Sequence, residues 1–234
     1  LVLDETVRPA EPSAEVSRIL ADAAVARGAA AFDEPGALAT LQARLATIAD
    51  IDPDLVRPNL DDAGLRETLI AACQGLRSFA ELRASSTNNG AATDKAKGGS
   101  ADGGGLTAYM IAAFDPRLRA CLAADAPLWV TLPGGRSVRI NYQADQPPWI
   151  ESRLQDFFGM VKGPEIARGR LPLTLHLLAP NGRAVQVTRD LDSFWRQHYP
   201  ALRRELGRRY PRHAWPEDGR NATPPPPLPP RRRH

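Results

Sequence analysis

Residues 128–159 read LWVTLPGGRSVRINYQADQPPWIESRLQDFFG, and within this stretch the hydrophobic period changes. Before it, apolar residues recur at helical spacing. Here they alternate, with Val138, Ile140 and Tyr142 on one side and Ser137, Arg139 and Asn141 on the other, the pattern of a half-buried strand. Two such runs flank Pro133-Gly134-Gly135-Arg136, a hairpin signal. After Pro147 and Pro148 the reading returns to a helix. Trp149, Ile150, Leu154, Phe157 and Phe158 supply its buried faces, and Gly159 ends it. A second hairpin is expected in LPLTLHLLAPNGRAVQVT, residues 171–188. Leu173, Leu175 and Leu177 form its inner face, and Asn181-Gly182 is a type I′ turn candidate.

Beyond that hairpin, LDSFWRQHYPALRRELGRRYPRHAWPED (residues 191–218) predicts two helices. Asp190 or Asp192 can cap the first, which bears Leu191, Phe194 and Trp195. Pro200 suits the first turn of the second, which bears Leu202 and Leu206. The following GRNATPPPPLPPRRRH predicts disorder or polyproline II. It contains Pro226, Pro229 and Arg231 in the P-x-x-P-x-R shape of an SH3-type ligand, a short pattern that arises easily in any such tract.

Toward the N-terminus, LTAYMIAAF and DPRLRACLAADAP pattern as helices. Residues 85–105, SSTNNGAATDKAKGGSADGGG, are small and polar without a period, which predicts a flexible linker. Before it lie four more helices. In PSAEVSRILADAAVARG, Ser13 is the expected N-cap and Gly28 the stop, with Val16, Ile19, Leu20 and Ala23 on the apolar face. PGALATLQARLATIAD starts at Pro35 and stripes Leu38, Leu41, Leu45 and Ile48. DDAGLRETLIAACQGL enters from Asp61 or Asp62, and LRSFAELRA is short. The expected fold class is therefore α+β. Residues 1–84 are mostly helical with an N-terminal strand in LVL, 85–105 are linker, 106–218 are a compact domain of antiparallel hairpins packed with helices, and 219–234 are a disordered tail. No RecA-like or Rossmann domain is read anywhere in the chain.

The chain has 234 residues, 43% of them apolar, enough for one or two domains with a core. Its two cysteines, Cys73 and Cys121, make neither a disulfide framework nor a zinc site and read as buried free thiols. No basic-then-apolar leader and no spanning stretch is present, so no membrane role is expected. The chain opens at Leu1, without Met, on an unpartnered apolar run, which suggests a piece of a longer polypeptide. Charge is uneven. Residues 1–100 carry 10 Lys+Arg against 15 Asp+Glu, while residues 101–234 carry 20 against 12. Such asymmetry points to an anionic partner for the second part, or to an ordinary arginine-rich surface.

Catalytic patterns are missing. There is no G-x-x-x-x-G-K-[ST] run and no G-x-S-x-G elbow. His176, His198, His213 and His234 have no metal-ligand spacing, and His176 reads as a surface strand residue. Glu151 and Asp156 are placed on different faces of the expected helix, which does not support paired acid–base work. The best candidate site is basic: Arg203, Arg204, Arg208, Arg209 and Arg212, interleaved with Tyr210 and Trp215. Guanidiniums grip phosphates in bidentate fashion and aromatic faces stack on bases, which suits RNA or single-stranded DNA. The competing reading has Trp195, Tyr199, Tyr210 and Trp215 anchoring the C-terminal helices while the arginines simply face water. Arg139 and Arg153 complete the candidate set.

PPWIESRLQDFFG, LTLHLLAPNGRAVQVT and the closing DL..FW...YP..R.EL..RYP.H.WPED pattern together resemble the C-terminal region of bacterial HrpB-type ATP-dependent RNA helicases of the DEAH/RHA-like group. The likeness is dense over 127–218, weaker over 1–83, and absent over 85–105 and 219–234. It implies a parent with two RecA-like domains that use ATP and magnesium, none of whose motifs stands in this chain. It also implies a non-catalytic role here, either assisting RNA binding or docking as an interaction module on the helicase core or an external partner. No small-molecule substrate is implied, and the location implied is the bacterial cytoplasm.

Overall fold

The computed structural model describes residues 11–88 and 105–226, and the chain divides into two units at Cys121/Leu122. The first unit is helical. Its elements are α1 (Ala14–Arg27), α2 (Ala37–Ile51), α3 (Asp62–Ala72), α4 (Phe79–Asn88) and α5 (Leu106–Ala113), followed by α6 (Pro116–Ala124). Local chemistry sets the ends. The Ser13 hydroxyl accepts from Val16 N at 3.1 Å, and Gly28 takes φ 84 to stop α1. The Asp61 carboxylate accepts from Gly64 N at 2.9 Å at the start of α3. Gly36, not Pro35, precedes α2, at φ 81.

Leu20, Ala24, Phe32, Leu69, Cys73, Leu82, Leu106 and Met110 form one buried cluster. Leu41, Leu45 and Ile48 of the expected α2 stripe are buried and Leu38 is half-buried. The expected face of α1 is rotated. Leu20 is buried as expected, but Ile19 is 59% exposed and Ala23 is exposed, and Ala21 and Ala24 are buried in their place. Ala21 and Ala24 share the buried cluster with Leu69, Ala72 and Cys73 at the end of α3, and their small side chains permit close packing there. The first residues of the segment expected as linker, up to Asn88, belong instead to α4. At the segment's other end, Gly105 pairs with Asp33. The Asp33 carboxylate accepts from the Thr107 backbone N–H at 3.1 Å and its hydroxyl at 2.9 Å, capping α5 from 74 residues away. Burial pushes the Asp33 carboxyl up from its ordinary range despite those bonds. The rest of the expected linker, 89–104, lies outside the described residues, as do residues 1–10 with the expected N-terminal strand.

The second unit is built on a five-stranded sheet in the order β1-β2-β3-β6-β7: β1 (Trp129–Thr131), β2 (Ser137–Gln143), β3 (Gln146–Arg153), β6 (Thr174–Leu178) and β7 (Ala184–Thr188). A separate two-stranded pair joins β4 (Glu165–Ile166) to β5 (Leu171–Pro172). The expected pair of hairpins is present, but the sheet is mixed, because β3 runs parallel to β6 from Trp149↔Thr174 to Arg153↔Leu178.

The reason is a correction to the reading of 145–159. This stretch is not a helix. It is strand β3 followed by one 3₁₀ turn, Leu154–Phe157. Pro147 and Pro148 hold the chain extended at the strand's start, before the parallel ladder begins. Pro148, Ile150 and Ser152 then face the core while Gln146, Glu151 and the half-exposed Trp149 and Arg153 face out. A two-residue loop, Ala144-Asp145 with Asp145 at φ 60, turns β2 into β3. A strand running straight into a 3₁₀ turn spaces its apolar residues much as a helix would, and that produced the error.

The other two hairpins share one turn. Gly135 N donates to Leu132 O at 2.8 Å, and Leu132 N to Arg136 O at 2.9 Å. Gly182 N donates to Ala179 O at 2.9 Å, and Ala179 N to Arg183 O at 2.8 Å. Gly135 and Gly182 are left-handed at φ 81 and 83, whereas Asn181 is not. The second loop is therefore a Pro-x-Gly three-residue turn with a glycine bulge, not type I′.

After β7, α7 (Leu191–Gln197) is capped by Asp190, whose carboxylate accepts from Ser193 N at 2.9 Å. Helix α8 (Tyr199–Arg209) follows with Pro200 in its first turn. Phe158, Phe194, Trp195 and Tyr199 cluster at centroid separations of 5.0–6.3 Å. The Trp195 indole donates to Met160 O at 2.7 Å. Tyr199 and Trp195 are thus core anchors, as one of the two readings expected.

The tail is not loose at its start. Gly159 N donates to Gly219 O at 2.9 Å, and Arg220 folds back on Asp218 with Nε 3.1 Å from Oδ1. A Cβ on Gly134 would lie 2.9 Å from Pro225 O. Disorder expected from residue 219 is therefore corrected for 219–226, which strap the turn at Gly159 and the β1–β2 loop. The remainder of the tail, with Pro229 and Arg231, lies outside the described residues.

Candidate nucleic-acid interface

Helix α8 buries Leu206, half-buries Leu202, and turns its arginines outward. Arg204 and Arg208 are one turn apart and line a shallow surface recess with Ala201. Each lies along the helix, Arg204 Nε donating to Pro200 O at 3.2 Å and Arg208 Nε to Arg204 O at 3.3 Å. Both side chains are exposed. Arg209 sits 5.7 Å from the centroid of the Tyr210 ring, and Arg212 is exposed in the following turn. Among the described residues no carboxylate pairs with Arg204, Arg208, Arg209 or Arg212. The last turn of a helix is also where arginines gain from the backbone dipole, so local stability explains part of their placement.

Arg203 is different. Its Nε donates to Trp215 O at 2.9 Å and its Nη2 reaches Glu217 Oε1 at 3.5 Å. Tyr199 Oη donates to Pro216 O at 2.9 Å and Trp215 Nε1 to Tyr210 O at 3.0 Å. Arg203 therefore fastens the Trp-Pro-Glu segment to α8. Burial pushes the Tyr199 phenol up to about 12, and the Arg220 guanidinium holds the Asp218 carboxyl below its usual range. The basic cluster read from the sequence thus splits into one fastening arginine and four, Arg204, Arg208, Arg209 and Arg212, that pair with no carboxylate among the described residues. Arg139 is exposed on β2, and Arg153 is half-buried at the end of β3 rather than on a helix.

The sheet carries a group of residues that sequence reasoning did not assemble. Trp129 pairs with Arg139, Asn141 with Trp149, Trp149 with Thr174 and Glu151 with His176. Paired residues share a face, so all of these project from the open side of the sheet. Trp129 is 46% exposed. Trp149 and His176 stack with centroids 6.1 Å apart and planes 22° apart. Glu151 Oε1 accepts from Trp149 Nε1 at 3.4 Å and lies 3.5 Å from His176 Nδ1. Alternation around Arg139 was visible in the sequence. Reading β3 as a helix hid the rest, because it removed Trp149 from the sheet.

On the buried side, Ser152 Oγ donates to Asp156 Oδ2 at 2.5 Å, Arg136 Nε lies 3.5 Å from the same oxygen, and Gln155 Nε2 donates to Ala214 O at 3.2 Å. This network is satisfied and closed. Among the described residues no cluster of three or more His, Cys, Asp or Glu could hold a metal, and no helix is long and apolar enough to cross a membrane. Cys73 and Cys121 are both buried free thiols.

The family model for the HrpB ATP-dependent helicase C-terminal region matches residues 94–219, more than half of the chain. The match takes in the last part of the segment read as linker. ATP-dependent RNA helicase HrpB of Escherichia coli (strain K12) is 43% identical over 103 residues, covering 44% of this chain and 13% of that protein. The crystal structure of E. coli DExH-box NTPase HrpB superposes with a TM-score of 0.73 at 28% identity, over 93% of this chain and 25% of that one. A crystal structure of E. coli DEAH/RHA helicase HrpB gives 0.62 at 27% identity, over 88% and 24%. The chain therefore spans only a small part of the length of these relatives.

Proposed function

Because the chain belongs to the family of HrpB-type ATP-dependent helicase C-terminal regions, we propose that it is the non-catalytic C-terminal part of a bacterial, cytoplasmic ATP-dependent RNA helicase and adds RNA-binding surface to it. ATP, magnesium and the RecA-like motors belong to the rest of the parent enzyme on this reading. The observation that carries it is the face of α8, where Arg204 and Arg208 stand one turn apart at a recess without carboxylate partners. Such guanidiniums contact phosphates and release counterions. The test is binding of the 234-residue chain to single-stranded RNA across a salt series. R204A/R208A should flatten the log–log salt slope by about 1.4, from roughly 0.7 per lost phosphate contact. No binding by the wild-type chain at low salt would refute the RNA role.

A second reading, docking on the helicase core or another protein, draws on the first unit. Ile19, Val56 and Ile70 are 59%, 83% and 42% exposed there. They are single side chains rather than a demonstrated patch, so the first reading leads.

A further inference from the structure

The open face of the five-stranded sheet carries a second ligand chemistry, distinct from phosphate binding. We infer that it is a base-stacking platform for single-stranded RNA, with Trp129 as one stacking surface and the Trp149–His176 pair as another. This inference rests on the RNA reading above and deepens it by naming the part of the ligand that is recognised.

Three observations carry it. Trp129 lies on the edge strand β1 and is 46% exposed, and every nucleobase offers a flat partner to an exposed indole. Two and three strands away, Trp149 and His176 are already stacked, 6.1 Å apart. Glu151 lies beside both, its Oε1 accepting from Trp149 Nε1 at 3.4 Å and standing 3.5 Å from His176 Nδ1. The surrounding groups match a nucleotide chain. Arg139, paired in register with Trp129, has no carboxylate partner among the described residues, and Asn141 and Thr174 offer hydrogen bonds beside Trp149. Three strand spacings separate β1 from β6, roughly 14 Å, room for a short run of nucleotides.

The ligand must be single-stranded, because a duplex hides its base faces within the stack. A protein partner fits less well. The exposed apolar side chains of this face, Trp129 and Val187 at 46% and 49%, stand on the first and last strands of the sheet, with Arg139, Asn141, Glu151 and His176 as well as Trp149 between them, not as one apolar patch.

The experiment uses the whole 234-residue chain with a 12-nucleotide single-stranded RNA, the same backbone without bases, and a duplex of equal length. Trp129→Ala should weaken binding of the base-bearing strand about tenfold with the salt slope unchanged. Trp129→Phe should restore most of it, and circular dichroism should match wild type in both. The abasic strand should bind weakly and ignore Trp129→Ala. Loss on R204A/R208A with none on Trp129→Ala would overturn the platform and leave the phosphate reading standing. Equal affinity for abasic strand or duplex would overturn it as well. So would a Trp129→Ala variant that loses only self-association in sedimentation, which would mark the face as a protein contact. Failure of the wild-type chain to bind any RNA would remove both readings.

Discussion

One face of the Trp195 indole is closed by a residue with no side chain. A Cβ on Gly219 would lie 2.5 Å from that ring, well inside contact distance, and the ring is fixed by its bond to Met160 O. Gly219→Ala should therefore destabilise the second unit by about 1–3 kcal/mol, read as a lower midpoint in urea. Beside it, the Tyr199 phenol ionises near 12, against about 10 for a solvated tyrosine. Its folded pKa is raised, so its contribution to stability is complete below pH 10 and is lost as pH rises through 12. Alkaline absorbance titration should show a tyrosine that ionises late, and Tyr199→Phe should remove that step. At acid pH the sign reverses. The Gly64 N–H and Asn59 hold the Asp61 carboxyl low, so the stability it lends α3 is present above about pH 4 and falls as that group protonates. Asp61→Asn should flatten this part of the pH–stability curve. All three positions are named in the sequence, but only Asp61 could be read there, as a helix cap. The roles of Gly219 and Tyr199 depend on partners 24 and 17 residues away.

At the level of elements, much of the helical unit was legible because its signals are local. Ser13, Gly28 and Asp61 act where propensity places them. The α1 face was legible only in part, since Leu20 of the expected stripe is buried whereas Ile19 and Ala23 give way to Ala21 and Ala24, a rotation that the neighbouring helix decides. The strand β3 was misread for a related reason. A strand buried on one side and half-covered on the other loses its clean alternation, and the 3₁₀ turn after it restores a helical spacing. The strap 219–226 was missed because proline-rich composition says how a segment is shaped, not whether something receives it. Ending the chain after Asp218 should remove the Gly159–Gly219 bond and uncover Trp195. We expect a loss of about 1–3 kcal/mol and a red-shifted tryptophan emission.

Across the whole molecule, charge and chemistry are unevenly shared. The excess of positive charge lies after residue 100, and the candidate arginines and exposed tryptophans are all in the second unit. If net charge alone governed RNA affinity, reversing any two exposed arginines would cost the same. R204E/R208E should instead weaken binding by more than tenfold at low salt, while R18E/R66E on the helical unit should change it by less than about threefold. Filter binding of the two double variants side by side decides this. The basic cluster was legible in the sequence as composition. Its division into a fastening Arg203 and outward-facing Arg204 and Arg208 was not, because that depends on where the Trp215 carbonyl falls.

The parallel pairing of β3 with β6 also bears on how the chain reaches this state. The hairpins on either side of it close over a few residues and form on microsecond timescales. Trp149 and Thr174, by contrast, must meet across 25 positions of chain, with that loop's entropy lost before any ladder bond forms. The order of assembly should then be two hairpins first and their seam last. In stopped-flow refolding, Leu175→Ala at the seam should chiefly accelerate unfolding, whereas Gly135→Ala in the first turn should chiefly slow folding.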